Sequence, residues 1–113
     1  MMLDPIAAPL ERYLDLLSAR QKLSAQNIAN ADTPGYKTRD LDFAAEMEAH
    51  MAAGPPAVVE VEGLKTRNDG NNVSVDREAR LLAENSLRFN AAAQLLRGQF
   101  RAVRSAIQEG RSG

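Results

Sequence analysis

The sequence has no cysteine and no tryptophan, and its aromatic residues are only two Tyr and three Phe among 113 residues. The absence of cysteine excludes a disulfide framework, a Cys-based zinc site and a thiol nucleophile. A small chain with so few large side chains can build a thin seam between helices, but not a deep globular core. We therefore expect much of its stability to come from neighbouring subunits.

The sequence also lacks an excess of either charge, because 14 Lys and Arg against 15 Asp and Glu give a formal net charge of −1. This balance excludes a general electrostatic attraction to nucleic acid or to an anionic membrane. No stretch is apolar enough over a sufficient length to span a bilayer. Residues 1–5 lack the basic region and apolar run of a cleavable secretory signal. The residues alone therefore predict a cytoplasmic protein.

A first helix is predicted over residues 5–30, because Asp4 suits an N-cap and Pro5 suits the first helical position. Mostly apolar residues recur along it every three or four positions, with polar substitutions at Gln21 and Ser24. The spacing is heptad-compatible from Leu10 onward. The stripe consists of Ile6, Leu10, Leu14, Leu17, Gln21, Ser24 and Ile28. Leu16 and Leu23 lie off the stripe, and a helix with two apolar faces usually has two packing partners. The alternative is a single amphipathic face with scatter.

A second helix is predicted over residues 74–109, with Ser74 as its N-cap and Gly110 as its stop. Its stripe has alternating spacings of four and three residues, and six of its eight members are large apolar residues. These are Leu82, Ser86, Phe89, Ala93, Leu96, Phe100, Val103 and Ile107. A helix of this length would be roughly 54 Å long and would need packing partners along its length.

The middle segment, residues 31–73, differs from the two ends. Turn signals occur at residues 32–35 and 68–71. A short helix is predicted within residues 40–52, and a short strand at Val58, Val59 and Val61. Residues 40–62 include six carboxylates and no Lys or Arg. With so little apolar mass, we expect this segment to be mobile in isolation.

The residues offer no convergent set for catalysis or cofactor binding. His50 is the only histidine, and it lies four positions after Glu46, but a two-ligand surface site would bind a metal weakly. One histidine without a G-x-S-x-G motif gives no support for a nucleophile triad, and there is no glycine-rich phosphate loop. We therefore predict no enzymatic activity, no cofactor, no metal, no small-molecule substrate and no nucleic acid.

The most informative stretch is residues 23–43, where a helical run ends in an Asn-rich junction followed by a Pro-Gly turn. Its distinctive residues are Asn27, Ala29, Asn30, Thr33, Pro34, Gly35 and Tyr36. This stretch resembles the N-terminal signature of the flagellar axial proteins, the rod and hook family. A second set of residues resembles the pattern of the short proximal rod proteins in that family. It comprises Asp69, Gly70, Asn71, Val73, Asp76, Glu78, Asn85 and Leu87, with Phe89 where an aromatic is usual. The chain is short for this class, chiefly in the middle.

The resemblance implies a structural subunit of the proximal rod of the bacterial flagellar basal body, which self-assembles through its terminal helices. It also implies export as an unfolded chain by the flagellar type III system, without a cleaved signal, and a final position in the periplasmic rod. This localisation replaces the cytoplasmic one. The implied partners are FlgC and other rod proteins, the adaptor FliE, the MS-ring protein and the flagellar export gate.

The expected fold is mainly α, a single discontinuous domain over residues 1–113 with a flexible middle. The two terminal helices would pair as an antiparallel or near-antiparallel coiled coil. Their remaining apolar faces would then pack against neighbouring subunits. The expected assembly interface is Leu10, Leu14, Leu17, Ile28, Leu82, Phe89, Leu96, Phe100, Val103 and Ile107. The expected junction is Asn27, Asn30, Thr33, Pro34, Gly35 and Tyr36. Its Asn side chains would bond the last helical carbonyls, and Gly35 would take a positive φ.

Two alternatives remain open on the sequence. A FlgC-type proximal rod protein would share the N-terminal signature, but usually carries a different C-terminal motif. A cytoplasmic helical binding module, such as an export chaperone, would also have an Ala-rich coiled coil. Such a module would be folded and dimeric alone and would not need the Asn-Pro-Gly junction.

Overall fold

The computed structural model describes residues 4–49 and 55–112. Its elements in chain order are α1 (Asp4–Ala29), β1 (Arg39–Leu41), α2 (Phe43–Glu48), β2 (Val58–Glu60) and α3 (Val75–Ser112). The two long helices predicted at the ends of the chain are therefore confirmed. Among the described residues, no helix combines the length and the hydropathy of a membrane-spanning segment.

The start of α3 follows the predicted capping chemistry. Ser74 Oγ accepts a hydrogen bond of 3.2 Å from the backbone N–H of Arg77, and the Ser74 carbonyl accepts one of 3.0 Å from Glu78. Acidic residues occupy the first turn, where the helix dipole favours them. The predicted stop at Gly110 is wrong, because α3 continues to Ser112. A glycine ends a helix by taking a positive φ, and Gly110 does not.

Helices α1 and α3 run antiparallel and pack side by side. Gln21 Nε2 donates a hydrogen bond of 3.3 Å to Ser86 Oγ, and Leu17 lies across a groove from Phe89. Earlier residues of α1 thus face later residues of α3. The packed pair gives the molecule an elongated form, with extents of 71 × 26 × 18 Å. The finer expectation of coiled-coil geometry stays a prediction.

The middle segment covers the second apolar face of α1. Leu16 and Leu23, which lie off the predicted stripe, form a buried cluster with Leu41, and Phe43 and Met47 pack against it. The prediction of two packing partners for α1 is therefore confirmed. The second partner, however, is this chain's own middle segment and not the neighbouring subunit that was expected.

Two ion pairs fasten the middle segment to α1. Arg20 binds Asp40 through both of its carboxylate oxygens, with a shortest distance of 2.8 Å, and Arg12 Nη2 lies 3.0 Å from Glu46 Oε2. Arg20 also lies over the ring of Phe43, 5.6 Å from its centroid. Because these pairs are partly buried, they are screened less by salt than exposed pairs are.

The short elements of the middle differ in part from the prediction. Strand β2 confirms the predicted strand around residue 58, and it pairs antiparallel with β1, with Arg39 opposite Glu60 and Leu41 opposite Val58. Strand β1 was not predicted. The helix predicted over 40–52 begins later, at Phe43, because its first residues belong to β1 and Asp42 caps α2. Its predicted residues 50–52, which include His50, lie outside the described residues.

Candidate functional site

The junction after α1 is organised by the buried side chain of Asn27. Its Nδ2 donates to the Arg39 carbonyl at 2.9 Å, and its Oδ1 accepts from the Arg39 N–H at 3.1 Å. The same Oδ1 accepts from the Tyr36 hydroxyl at 3.3 Å. The amide of Asn27 therefore pairs with one backbone residue of β1 as a neighbouring strand would. This holds the start of β1 against the end of α1.

The last turn of α1 is closed by Asn30. Its Nδ2 donates to the Gln26 carbonyl at 2.8 Å, and its Oδ1 accepts from Thr33 Oγ1 at 3.1 Å. The prediction that Asn side chains bond the last helical carbonyls is confirmed for Asn30. It is wrong for Asn27, because that side chain turns to β1 instead.

The loop before α3 enters the same junction through Asn71, which is fully buried. Its Nδ2 donates to the carbonyls of Asn30 at 3.0 Å and Thr33 at 2.8 Å, and its Oδ1 accepts from the Val73 N–H at 2.8 Å. One side chain thus satisfies two carbonyls of the N-terminal signature and one donor of its own loop. A buried amide with three partners is a strong constraint on local geometry.

The next residue, Asn72, makes a parallel connection to the start of the middle segment. Its Oδ1 accepts from the Thr38 N–H at 2.7 Å and from Thr38 Oγ1 at 2.8 Å. Its own N–H donates to the Tyr36 carbonyl at 3.3 Å. Thr38 is completely buried. The two adjacent asparagines therefore hold the two sides of the turn at 33–38.

Two glycines allow the loops to touch. Gly35 has φ +76° and Gly70 has φ +84°, which confirms the positive φ predicted for Gly35. The Gly35 N–H donates to the Asp69 carbonyl at 2.9 Å. A Cβ added at Gly70 would lie 3.3 Å from the Cα of Gly35, so the close approach of the two backbones depends on glycine.

Arg67, at the surface of the junction, connects its two chain segments. Its guanidinium donates to the Val73 carbonyl at 2.9 Å and also to the Ala31 carbonyl. The two sequence motifs, residues 27–36 and 69–73, therefore form one hydrogen-bonded unit, which we call the asparagine junction. Sequence reasoning recognised each motif but not their contact. The available signal was chemical, because both motifs are rich in asparagine and each contains a glycine.

The expected interface residues of α1 lie mostly within the subunit. Leu17 is buried, and Leu10, Leu14 and Ile28 are half-buried. These four residues therefore contribute first to the packing of one copy. Their part in contacts between copies stays a prediction.

The face of α3 that lies deepest is partly polar. Glu78, Asn85 and Ala92 are its buried residues. From the expected stripe, Leu82, Leu96 and Val103 are half-buried. Phe89, by contrast, is 39% exposed, Phe100 42% and Ile107 53%. The structure thus turns part of the expected stripe outward, and the exposure is largest near the end of α3.

Two leucines of α3 that lie outside the expected interface stripe are also exposed. Leu87 is 72% exposed and Leu95 is 61% exposed. They lie eight residues apart, which brings them near one side of the helix, away from α1. Contiguous apolar groups exposed on a small protein commonly mark a protein–protein contact.

A groove of about 480 Å³ runs between the two long helices. It is lined by Leu17, Ser18, Gln21, Lys22, Asn85, Ser86, Phe89 and Asn90. Two buried polar atoms here, Gln21 Oε1 and Asn85 Nδ2, have no hydrogen-bond partner among the described residues. The packing of α1 against α3 therefore leaves hydrogen-bonding capacity unused near Gln21 and Asn85.

The described part of the chain contains no group of three or more His, Asp or Glu side chains that could hold a metal ion. Glu46, which lies four positions before His50 in the sequence, binds Arg12 and accepts a hydrogen bond of 2.9 Å from the Ala57 N–H. Glu46 thus fastens the middle segment to α1, and the polar groups of the junction likewise position backbone segments.

Several known flagellar rod proteins are similar in sequence to this chain. The family model described as "Flagella basal body rod protein" matches residues 14–37. Flagellar basal body rod protein FlgB of Escherichia coli (strain K12) is 35% identical over 137 aligned positions, which cover 96% of this chain and 99% of the relative. FlgB of Salmonella typhimurium is 34% identical with the same coverage. FlgB of Borrelia hermsii is 28% identical over 124 positions, covering 86% of this chain and 91% of the relative.

The alignments with the enteric relatives are longer than the 113 residues of this chain, so those relatives contain residues that this chain lacks. This agrees with the expectation that the chain is short for its class. The similarity nevertheless spans both terminal helices and the asparagine junction between them.

Proposed function

Since this chain belongs to the FlgB family of flagellar basal body rod proteins, we propose that it enters the proximal rod through the exposed faces of its terminal helices. The chain is a structural subunit of the basal body rod, and neither the FlgC-type alternative nor the chaperone alternative is favoured by its relatives. The way such a subunit assembles depends on which of its surfaces stay uncovered within one copy.

The proposal is supported by a contrast between two parts of the subunit, one whose polar groups are hydrogen-bonded internally and one whose apolar side chains remain exposed to water. The asparagine junction meets its hydrogen-bonding needs within the subunit, whereas α3 leaves Leu87 and Leu95 largely in water. Burying a leucine stabilises a contact by about 1.5–3 kcal/mol relative to leaving it exposed. A neighbouring subunit that covers both residues would therefore gain several kcal/mol.

The junction has a separate task in assembly. It fixes the direction in which the chain leaves α1 and re-enters α3, so each subunit presents its helix faces in one geometry. Subunits that add by a heterologous contact with fixed geometry build an open helical tube. A loose junction would allow several geometries and would spoil the repeat.

The same proposal places the subunit among its neighbours. FlgC and other rod proteins, the adaptor FliE, the MS-ring protein and the flagellar export gate are the partners that a proximal rod position implies. Export would occur as an unfolded chain through the flagellar type III system, without a cleaved signal. Folding would follow at the growing tip in the periplasmic space, where neighbours supply the surfaces that α3 lacks.

The test replaces an exposed apolar residue and a matched neighbour. Leu95→Asp places a carboxylate on the proposed contact, whereas Gln94→Asp places one on the adjacent exposed position. Both variants are expressed in a flagellated bacterium that lacks its own copy of the gene, and the protein is measured in secreted fractions and in isolated basal bodies. We expect export of both and rod incorporation of Gln94→Asp only. Equal incorporation of the two would refute this use of the α3 face.

A further inference from the structure

The distal part of α3 carries a row in which arginines alternate with large apolar residues. Its members recur at spacings of three, four, three and four, so they share one face of the helix. They are Arg97, Phe100, Arg104, Ile107 and Arg111, and all five are exposed. We call this row the arginine–apolar stripe. None of its arginines has an ion pair within the described ranges.

Helix α1 does not reach the outer half of this stripe. The contact between Gln21 and Ser86 sets the register of the two antiparallel helices. Asp4 lies seventeen residues before Gln21, so at equal rise it stands opposite about residue 103 of α3. The residues of α3 beyond that point extend past the described end of α1. The described part of α1 therefore leaves the outer half of the stripe uncovered.

A surface of complementary chemistry lies on the middle segment. Strand β2 and the residues after it expose two valines, Val58 and Val59, and two carboxylates, Glu60 and Glu62. We call residues 58–62 the acidic edge. Of the six carboxylates in residues 40–62, Asp40 and Glu46 are paired with arginines of α1, whereas Glu60 and Glu62 have no ion pair among the described residues. Within the same described ranges, β2 pairs only with β1, so its other edge is free.

The two surfaces are too far apart to meet within one copy. The acidic edge is fastened near the middle of α1, because its partner strand is bound by Arg20 through Asp40. Arg104 stands near the level of Asp4. The sixteen residues from Asp4 to Arg20 correspond to about 24 Å along the helix axis. A second copy displaced by about this distance along the 71 Å axis would bring stripe and edge together.

We propose that the arginine–apolar stripe of one subunit docks on the acidic edge of a second copy of this chain. In this contact Phe100 and Ile107 cover Val58, and the arginines beside them meet Glu60 and Glu62, which lie on the same side of the strand as Val58. The contact uses two different surfaces, so it is directional and repeats along an axis without closing. Opposite charges favour this partner and register over wrong ones. The inference rests on the proposed function and names the surfaces that one step of assembly uses.

The chain has no cysteine, so introduced cysteines report the contact cleanly. Val58→Cys and Ile107→Cys are combined in one chain, which leaves every charge in place. A bacterium lacking its own copy of the gene expresses the variant, and its basal bodies are isolated and treated with a mild oxidant. We expect a ladder of disulfide-linked multimers. The matched control combines Val58→Cys with Ala83→Cys, an exposed position far from the stripe, and should remain monomeric.

Charge reversal tests the same contact without cross-linking. Arg97→Glu with Arg104→Glu should lower the amount of subunit in basal bodies by roughly tenfold, since like charges would then oppose each other. Glu60→Arg with Glu62→Arg should have a similar effect. All four substitutions in one chain should restore incorporation. A four-fold variant that incorporates no better than either pair would overturn the proposal.

The outcomes separate the inference from the function on which it rests. If the subunit is present in the rod but the cysteines at 58 and 107 do not link, the docking proposal is overturned and the rod function stands. If the cysteine at 107 links instead to a different rod protein, a second copy is not the occupant, and the proposal is likewise overturned. If the unmodified chain is absent from purified rods, the proposed function fails as well.

Discussion

The substitution Asn71→Ala tests the asparagine junction most sharply. It removes the two bonds that Nδ2 donates to the carbonyls of Asn30 and Thr33, and the bond that Oδ1 accepts from the Val73 N–H. Asn71 has no exposed surface, so water cannot replace these partners without a rearrangement. At about 1 kcal/mol net for each bond, the loss is about 3 kcal/mol, and more if the orphaned groups stay dry.

This loss is large for a small chain with a thin core. Typical domains are stable by about 5–15 kcal/mol, and a chain with so little buried apolar area falls below that range unless an osmolyte or neighbouring subunits favour its folded state. The matched control is Asn68→Ala, which changes the same residue type in the same loop at an exposed position. That substitution should change the free energy of unfolding by less than about 0.5 kcal/mol.

The assay is urea unfolding followed by circular dichroism, in a stabilising osmolyte such as TMAO so that the folded baseline is accessible. We expect the midpoint of Asn71→Ala to fall well below that of the parent chain, with little change for Asn68→Ala. If the two variants unfold at the same urea concentration, the asparagine junction does not hold the ends of the chain together. The role assigned to residues 69–73 would then be wrong.

Three further predictions concern the junction, the helix seam and the isolated chain. Gly35→Val should impair rod assembly more than Ala57→Val, with export unchanged, because Gly35 has φ +76° and a β-branched residue is strained there. If both variants build equal amounts of rod in isolated basal bodies, the junction is only a passive linker. Leu96→Asp should abolish incorporation of the subunit into the rod while export continues, because an unpaired carboxylate at this half-buried position between the helices costs several kcal/mol. Normal swimming of the mutant would show that residue 96 is not buried in the assembled rod. In dilute purified chain the terminal helices should be loosely formed, and strong cooperative protection in hydrogen exchange would contradict this.

The periodicity of the sequence was sufficient to predict the two long helices, but it did not predict how each helix is rotated about its own axis. The spacing of apolar residues on α3 describes more than one row, and only some of these can face α1. Glu78 and Asn85 are buried there, while Phe100 is exposed. The rotation of α3 depends on where α1 ends and on the side from which the loop before α3 enters. Neither can be predicted from the apolar spacing of α3 alone.

The middle segment shows a second limit of local patterns. Asp40 reads as a surface residue, but it lies in β1 and is buried because Arg20, twenty residues earlier, binds its carboxylate. The link between Asn71 and Asn30 likewise joins residues 41 positions apart. Turn chemistry predicted each loop, and the positive φ of Gly35 followed from it. The contact between the loops required the fold.

In the flagellar rod, we expect this chain to satisfy the hydrogen bonds of its asparagine junction internally and to have its α3 face covered by neighbours. A cryo-electron microscopy map of basal bodies containing this chain tests it most directly. We predict that rod subunits show α1 and α3 paired as described, with Asn71 bonded to Asn30 and with Leu87 and Leu95 buried against adjacent subunits. Rod subunits in which both leucines face solvent, or rods from which this chain is absent, would contradict the claim.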